Sequence, residues 1–233
     1  ENVAERHRIT RQEQDEYAAP SSAKAVAAQE SGKFAEEIFA LDIPQPRAAA
    51  LKFDRDEDVR PTPLEALAKL RAAFKKDGTV TAGNASNIND GAAALVLASS
   101  AYVKEHGLKP LARVIGFASA GLEPSHMGLG PARAIPKLMK KLDWRYDSVD
   151  LWELNEAFAA QSLGVLRELS EIDRAKVNVH GGAIALGHPV GASGARILAT
   201  LIYALKQRGL RRGVGSLCIG SGMGIAMAIE LSA

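Results

Sequence analysis

Val149 to Leu154 is the segment that most limits what this chain can fold into. Its apolar and polar residues barely alternate, so it does not suit a strand with one face in water. A strand of this kind belongs in a sheet covered on both faces. The flanking segments supply covers. Ala157 to Leu169 places Phe158, Val165, Leu166 and Leu169 on one helical face, and Ala192 to Arg208 does the same with Ile197, Leu198, Leu201, Ile202 and Leu205.

The rest of the chain after Asp90 follows the same alternation of strand and helix. Ala92 to Ala98 reads as a short apolar strand, Ser100 to His106 as a short helix, Leu111 to Ala118 as a strand and Pro131 to Lys141 as a helix. Val214 to Ile219 and Ile225 to Leu231 form a closing hairpin around a glycine-rich turn. This order predicts an α/β layered domain.

Residues before about Asn89 have a different texture. Thr10-Arg11-Gln12-Glu13 is a capping box opening an alanine-rich helix to about Ser31. Pro20 is expected to break or kink it, since an interior proline costs ~3 kcal/mol. Glu36 to Ile43 and Leu51 to Phe53 read as extended segments around Pro44-Gln45-Pro46, and Asp54 to Asp58 as a solvated acidic turn. Thr62-Pro63-Leu64-Glu65 predicts a second capped helix running to about Phe74, followed by a loop from Thr79 to Asp90.

Bulk properties exclude several classes. Lys and Arg number 29 against 27 Asp and Glu, and the charges are interspersed, so no nucleic-acid footprint is expected. Lys206, Arg208, Arg211 and Arg212 sit where cations complement a helix C-terminus. No apolar run reaches the ~20 residues of a membrane helix. One cysteine excludes an internal disulfide and fits a reducing compartment such as the cytoplasm. With five scattered histidines it also offers no metal-ligand cluster. The start, Glu1-Asn2-Val3, lacks a signal pattern and an initiator methionine, which suggests a start made by cleavage or by choice of boundary.

The cysteine, Cys218, ends a strand and precedes Gly220, Gly222 and Gly224, which let backbone N–H groups approach a ligand. A buried free thiol is ordinarily a small hydrophobe. At this junction it is also placed to move a proton, given a pKa near working pH. His188 lies between Gly187 and Pro189 just before a helix, where the positive N-terminus disfavours imidazolium and favours nearby anions. Asn155, between strand and helix, suits either an N-cap or an amide that orients a water. His180 is read as structural. The glycine-rich runs 181–182 and 191–194 lack Walker spacing, and no serine elbow of hydrolases is present.

Three stretches carry a resemblance to one family: Asn155-Glu156-Ala157-Phe158-Ala159, Val177 to Pro189 with its Gly187-His188-Pro189, and Cys218-Ile219-Gly220-Ser221-Gly222-Met223-Gly224. They closely resemble the thiolases. The resemblance implies that Asn155 fixes an oxyanion-hole water and that His188 completes the hole and activates a nucleophilic cysteine. It also implies that Cys218 is the acid/base thiol, with the Gly220 N–H in a second hole. Ala82-Gly83-Asn84-Ala85-Ser86 looks like the loop that contacts the pantetheine arm of coenzyme A, through Ser86 and Ala82. Arg60 matches a position near the nucleotide end, and Phe74 and Met127 match a tunnel lining, although core packing explains those two equally well. His180 stands where asparagine is usual.

The implied fold is thiolase-like, one α/β half with a mixed sheet covered by helices, plus part of an inserted loop region. Residues 1–89 are expected to be the latter part of that region and 90–233 the C-terminal half. No residue matches the family's nucleophilic cysteine, so the N-terminal half is expected to be missing. The implied activity is acyl transfer between acyl-CoA and CoA, with CoA as substrate, no resident cofactor or metal, and a homodimer or homotetramer. The rivals are a non-catalytic CoA-binding association fragment and a decarboxylating ketosynthase. The Asn155 motif opposes the ketosynthase.

Overall fold

The computed structural model describes residues 1–232. Helices α1 (Asn2–His7) and α2 (Arg11–Glu30) lead into an antiparallel hairpin, β1 (Leu41–Gln45) and β2 (Ala48–Phe53). Short helices α3 (Leu64–Leu67) and α4 (Ser100–Glu105) follow. The remainder is β3 (Ala112–Gly121), α5 (Gly130–Leu142), β4 (Leu151–Leu154), α6 (Ala159–Glu168), α7 (Ala183–Leu186), α8 (Ser193–Arg208), β5 (Arg212–Ile219) and β6 (Met223–Leu231).

The sheet runs β3-β6-β5-β4, with β4 parallel to β5 and the other neighbours antiparallel. It is mixed, and at β4 it is covered on both faces, as the patterning of that strand required. Trp152 and Leu154 share a core with Ile135 and Leu138 of α5 and Val165 and Leu166 of α6. Leu151 points the other way, onto Leu201 and Leu205 of α8. Period-two alternation thus persists in β4, but both directions lead into protein and all four residues are buried.

Four expectations require correction. Helix α2 is continuous through Pro20. Pro20 faces solvent while Ala18, Ser21, Ser22 and Ala25 are buried, so packing of the inner face carries the helix past one lost hydrogen bond. The helix expected from Thr62 to Phe74 is only α3, and Thr62 donates to the Arg60 carbonyl instead of capping it. Arg11 of α2 takes the Leu67 carbonyl at 2.6 Å and the Leu70 carbonyl at 3.0 Å, acceptors a longer helix would have used itself. The chain then turns back, with Ala72 bridged to Thr81.

Residues 92–98 form no strand. Val96 is 99% and Leu97 80% exposed, and no strand among the described residues pairs with them. An extended segment without an edge to bond has no ladder to hold it. The boundaries of the other strands and helices differ from expectation by a few residues at most, apart from β1, which starts at Leu41 after a turn over 31–37.

Candidate active site

Parallel pairing of β4 with β5 brings their carboxyl ends together, with Leu154 opposite Ser216. The Asn155 N–H continues that ladder onto the Ser216 carbonyl at 3.0 Å. Asn155 therefore sits where β4 ends, and Cys218 lies two positions past Ser216 on the neighbouring strand. Asn155 does not cap a helix, since Phe158 precedes α6.

His188 reaches the same end of the sheet from the turn before α8. Its Nε2 lies 3.3 Å from the Asn155 side-chain nitrogen, and its Nδ1 lies 2.6 Å from the Ser193 hydroxyl. Its backbone N–H donates to the Asn87 carbonyl at 3.1 Å, tying it to the loop before residue 90. Gly187 makes this fit possible. It has φ +85°, and a Cβ there would lie 2.2 Å from the Asn89 side chain. Burial, helped by the Arg196 charge, lowers the His188 pKa, so the ring is biased toward neutral.

The Asn155 Oδ1 is buried without a partner. A polar atom left so in a folded core points to a water or ligand beside it.

Cys218 is a buried free cysteine, opposite Gly224 in the β5–β6 register. Burial pushes its thiol up to about 11. Gly220 is exposed in the turn after it and a Cβ there would meet nothing within 4 Å, so space beside its backbone is open. Gly222 is required by shape: φ is +83°, and a Cβ would strike the Leu122 carbonyl at 2.4 Å.

Glu156 was not singled out from the sequence, yet it is the most heavily bonded carboxylate here. Tyr17 at 3.2 Å and Ser21 at 2.7 Å donate from α2, Asn178 at 2.9 Å, and the Ile184 N–H at 3.3 Å. Asn178 also takes both backbone groups of Leu154, at 2.9 and 2.8 Å. These bonds lock the residues on either side of Asn155. The signal was present in the sequence, in a glutamate beside the chosen asparagine, but four donors from three segments cannot be read from spacing. Ser193 was missed for the same reason. His180 is buried, packs edge-on against Phe34 at 5.9 Å, and has its pKa lowered to about 4 by burial.

Phe74 and Met127 line one cavity of about 450 Å³ with Val80, Phe158, Ala160 and Gln161. Phe74 is 68% exposed and meets Phe158 edge-on at 5.9 Å, so it is not a core residue among the described residues. Ser86 is half-buried, and both its N–H and hydroxyl donate to the Ala157 carbonyl, at 3.0 and 3.1 Å. Ala82 and Arg60 are exposed. Arg60, Ala82 and Ser86 do not border the 450 Å³ cavity. Among the described residues no group of three or more His, Cys, Asp or Glu side chains is placed to hold a metal ion, and no helix is long and apolar enough to cross a membrane.

Residues 108–231 match the family model "Thiolase, C-terminal domain", and residues 1–101 match "Thiolase, N-terminal domain". An acetyl-CoA acetyltransferase of Pseudomonas aeruginosa is 53% identical over 230 residues, covering 98% of this chain and 58% of that protein. The crystal structure of the Bacillus anthracis acetyl-CoA acetyltransferase superposes with a TM-score of 0.96 at 51% identity, covering 99% of this chain and 58% of that one. Human mitochondrial 3-ketoacyl-CoA thiolase in complex with CoA gives 0.90 at 45% identity, covering 100% and 57%. The chain thus spans less than two thirds of the length of these relatives. The match of residues 1–101 to the N-terminal domain corrects the expectation of a C-terminal portion lacking the N-terminal half, because both domains are represented. With both models matched and its layered fold shared with solved members, the chain belongs to the thiolase family.

Proposed function

We propose that this chain supplies the oxyanion-binding and proton-transfer groups of an acyl-CoA C-acyltransferase. The reaction is reversible Claisen condensation of two acyl-CoA molecules, or its reverse, CoA-dependent cleavage of a 3-ketoacyl-CoA. The observation that carries this reading is the Asn155–His188 pair at the end of β4, beside the strand that bears Cys218. A biased-neutral imidazole next to an amide whose oxygen lacks a partner suits a site where a thioester oxygen and a water gather as negative charge develops.

Cys218 moves the proton. Its burial keeps the sulfur protonated near neutral pH, which is the state that delivers a proton to a carbanion as a 3-ketoacyl-CoA is cleaved. In the condensation direction the same sulfur must begin as thiolate, which its surroundings oppose. The open space where a Gly220 Cβ would stand leaves room for a second oxyanion beside its backbone. Acyl transfer also needs a nucleophilic thiolate, and one sulfur cannot hold the acyl group while deprotonating the second substrate. Cys218 is the only cysteine in these 233 residues. The acyl-carrying thiol is therefore supplied by polypeptide outside them, and the 233-residue chain alone does not turn over a 3-ketoacyl-CoA.

CoA enters as a substrate, with no resident cofactor. Ser86 and Ala82 contact the pantetheine arm and Arg60 the nucleotide end, while Phe74 and Met127 line the acyl or pantetheine tunnel. Support for the last pair is their shared cavity, next to Phe158 just beyond Asn155. In this reading residues 1–89 carry the CoA contacts apart from Met127, and 90–233 carry the chemistry. A reducing, cytoplasmic setting rests on the free thiol. Association as a homodimer or homotetramer rests on exposed apolar residues such as Ile88, Val96 and Phe117.

The test is thiolysis of acetoacetyl-CoA by a protein that carries this chain together with the second thiol. Cys218→Ser and His188→Ala should each lower kcat by about 100-fold or more, with CoA affinity within about twofold. Near-normal thiolysis by either variant overturns the assignment of that residue.

A further inference from the structure

We propose that Ser193 is the positioning residue that decides which nitrogen of His188 carries the proton. It holds the proton on Nδ1 and leaves Nε2 as a lone pair turned toward Asn155. The inference deepens the reading of His188 given above and rests on it.

Ser193 is the first residue of α8 and is fully buried. Its Oγ stands 2.6 Å from His188 Nδ1 and 3.0 Å from the Pro189 carbonyl. A hydroxyl has one proton to give and two lone pairs to offer, and a carbonyl can only accept. When the hydroxyl donates to Pro189, its lone pair is left for a donor, and Nδ1–H is that donor. On the far side of the ring, the Asn155 Nδ2 amide group is itself a donor, so Nε2 meets it as an acceptor. Every proton then has one place to go.

The opposite arrangement requires three reversals at once. The hydroxyl must leave Pro189 for Nδ1, the ring proton must move to Nε2, and the Asn155 amide must turn its oxygen to the ring. The hydrogen bond made by one imidazole nitrogen sets the state of the other.

The consequence is an order of events. At rest Nε2 has no proton to offer a thioester oxygen. It first takes one from the thiol that becomes the acyl carrier: the S–H bond breaks, its electron pair stays on sulfur, and the Nε2–H bond forms. The resulting imidazolium then donates from Nε2 to the oxygen that becomes negative. Burial and Arg196 disfavour that imidazolium, so the proton is held only while the developing anion balances it.

The test reads the two ring nitrogens directly, in a protein that carries this chain together with the second thiol, labelled with nitrogen-15 at histidine and held above pH 7.5, where the ring is neutral. His188→Gln assigns its signals among those of the other histidines. Nδ1 should show the shift of a protonated nitrogen and Nε2 that of a bare one. In Ser193→Ala the two shifts should move toward each other as tautomers mix, kcat should fall about tenfold, and KM for the acyl-CoA should stay within about twofold. Ser193→Thr, which restores a hydroxyl, should return the shifts. A wild-type ring protonated on Nε2, or shifts unchanged in Ser193→Ala, overturns the proposal. Should the shifts come out as expected while the parent protein shows no thiolysis, the assignment of function fails and the tautomer assignment stands.

Discussion

The β4 end of the sheet and the β1–β2 hairpin are built from equally apolar residues and have opposite fates. Trp152 and Leu154 are closed in by α5 and α6, and Leu151 by α8. In the hairpin, Leu41 pairs with Phe53 and Ile43 with Leu51, yet each remains 37–54% exposed. The first region can aim a side chain, because every neighbour that sets its direction is itself fixed. The second has backbone pairing alone. A site that must hold Asn155 and His188 at a set separation draws on the first kind of surroundings, and substrate-contacting loops can use the second.

The largest expected effect separates these regions by stability. Trp152→Ala should cost about 3–5 kcal/mol, since it empties a filled core, and Leu51→Ala no more than about 0.5 kcal/mol. Denaturant midpoints of the two variants check this. Similar losses would break the comparison by showing that the hairpin is covered in solution.

A smaller effect compares two glycines of the site. Gly187→Ala should cost about 1–3 kcal/mol, because it combines a left-handed backbone with a clash against Asn89. Gly220→Ala should be nearly neutral in stability, since nothing lies within 4 Å of its Cβ. Thermal melts of the pair sharpen the distinction between a glycine needed for shape and one beside open space.

Next comes a pH effect where α8 meets the segment after α2. Glu37 accepts from Thr200 at 3.1 Å, and burial raises its pKa to about 7 from an ordinary 4.5. The folded protein therefore binds more protons than the unfolded chain between those values, and stability falls as pH rises from about 4.5 to 7. Glu37→Gln should flatten that decline, read as the difference between variant and parent melts across the window. His180, lowered to about 4, acts in the opposite sense between pH 4 and 6.5 in both proteins and cancels in the difference.

The smallest expected effect is at the exposed Arg60. Arg60→Ala should weaken CoA binding modestly and reduce its dependence on salt, measured by titration at two ionic strengths. Unchanged salt dependence would remove Arg60 from the nucleotide end.

Legibility in the sequence followed the same division. The capping box at Thr10 is formed with both reciprocal bonds, because all its partners lie within one turn. The similar pattern at Thr62 failed because Arg11, distant in sequence, claimed the carbonyls beyond Leu67. Pro20 did not break α2, because the buried face of that helix lies opposite it. Residues 92–98 have strand composition, but composition does not supply a neighbouring edge. Asn155, His188 and Cys218 could be chosen from motifs. Glu156, Asn178 and Ser193 could not, since their importance lies in partners brought from other elements.

The sequence by itself determined the layered α/β class, the positions of most of its strands and helices, and the three motifs that identify the family. These depend on periodicity and short spacing, which are local. Tertiary structure decided which apolar runs became ladders, where the second helix stopped, and how the Asn155 amide, the His188 ring and the Ser193 hydroxyl share their protons. Those outcomes depend on hydrogen-bond partners far apart along the chain, and a buried polar group takes whichever partner folding brings within about 3 Å.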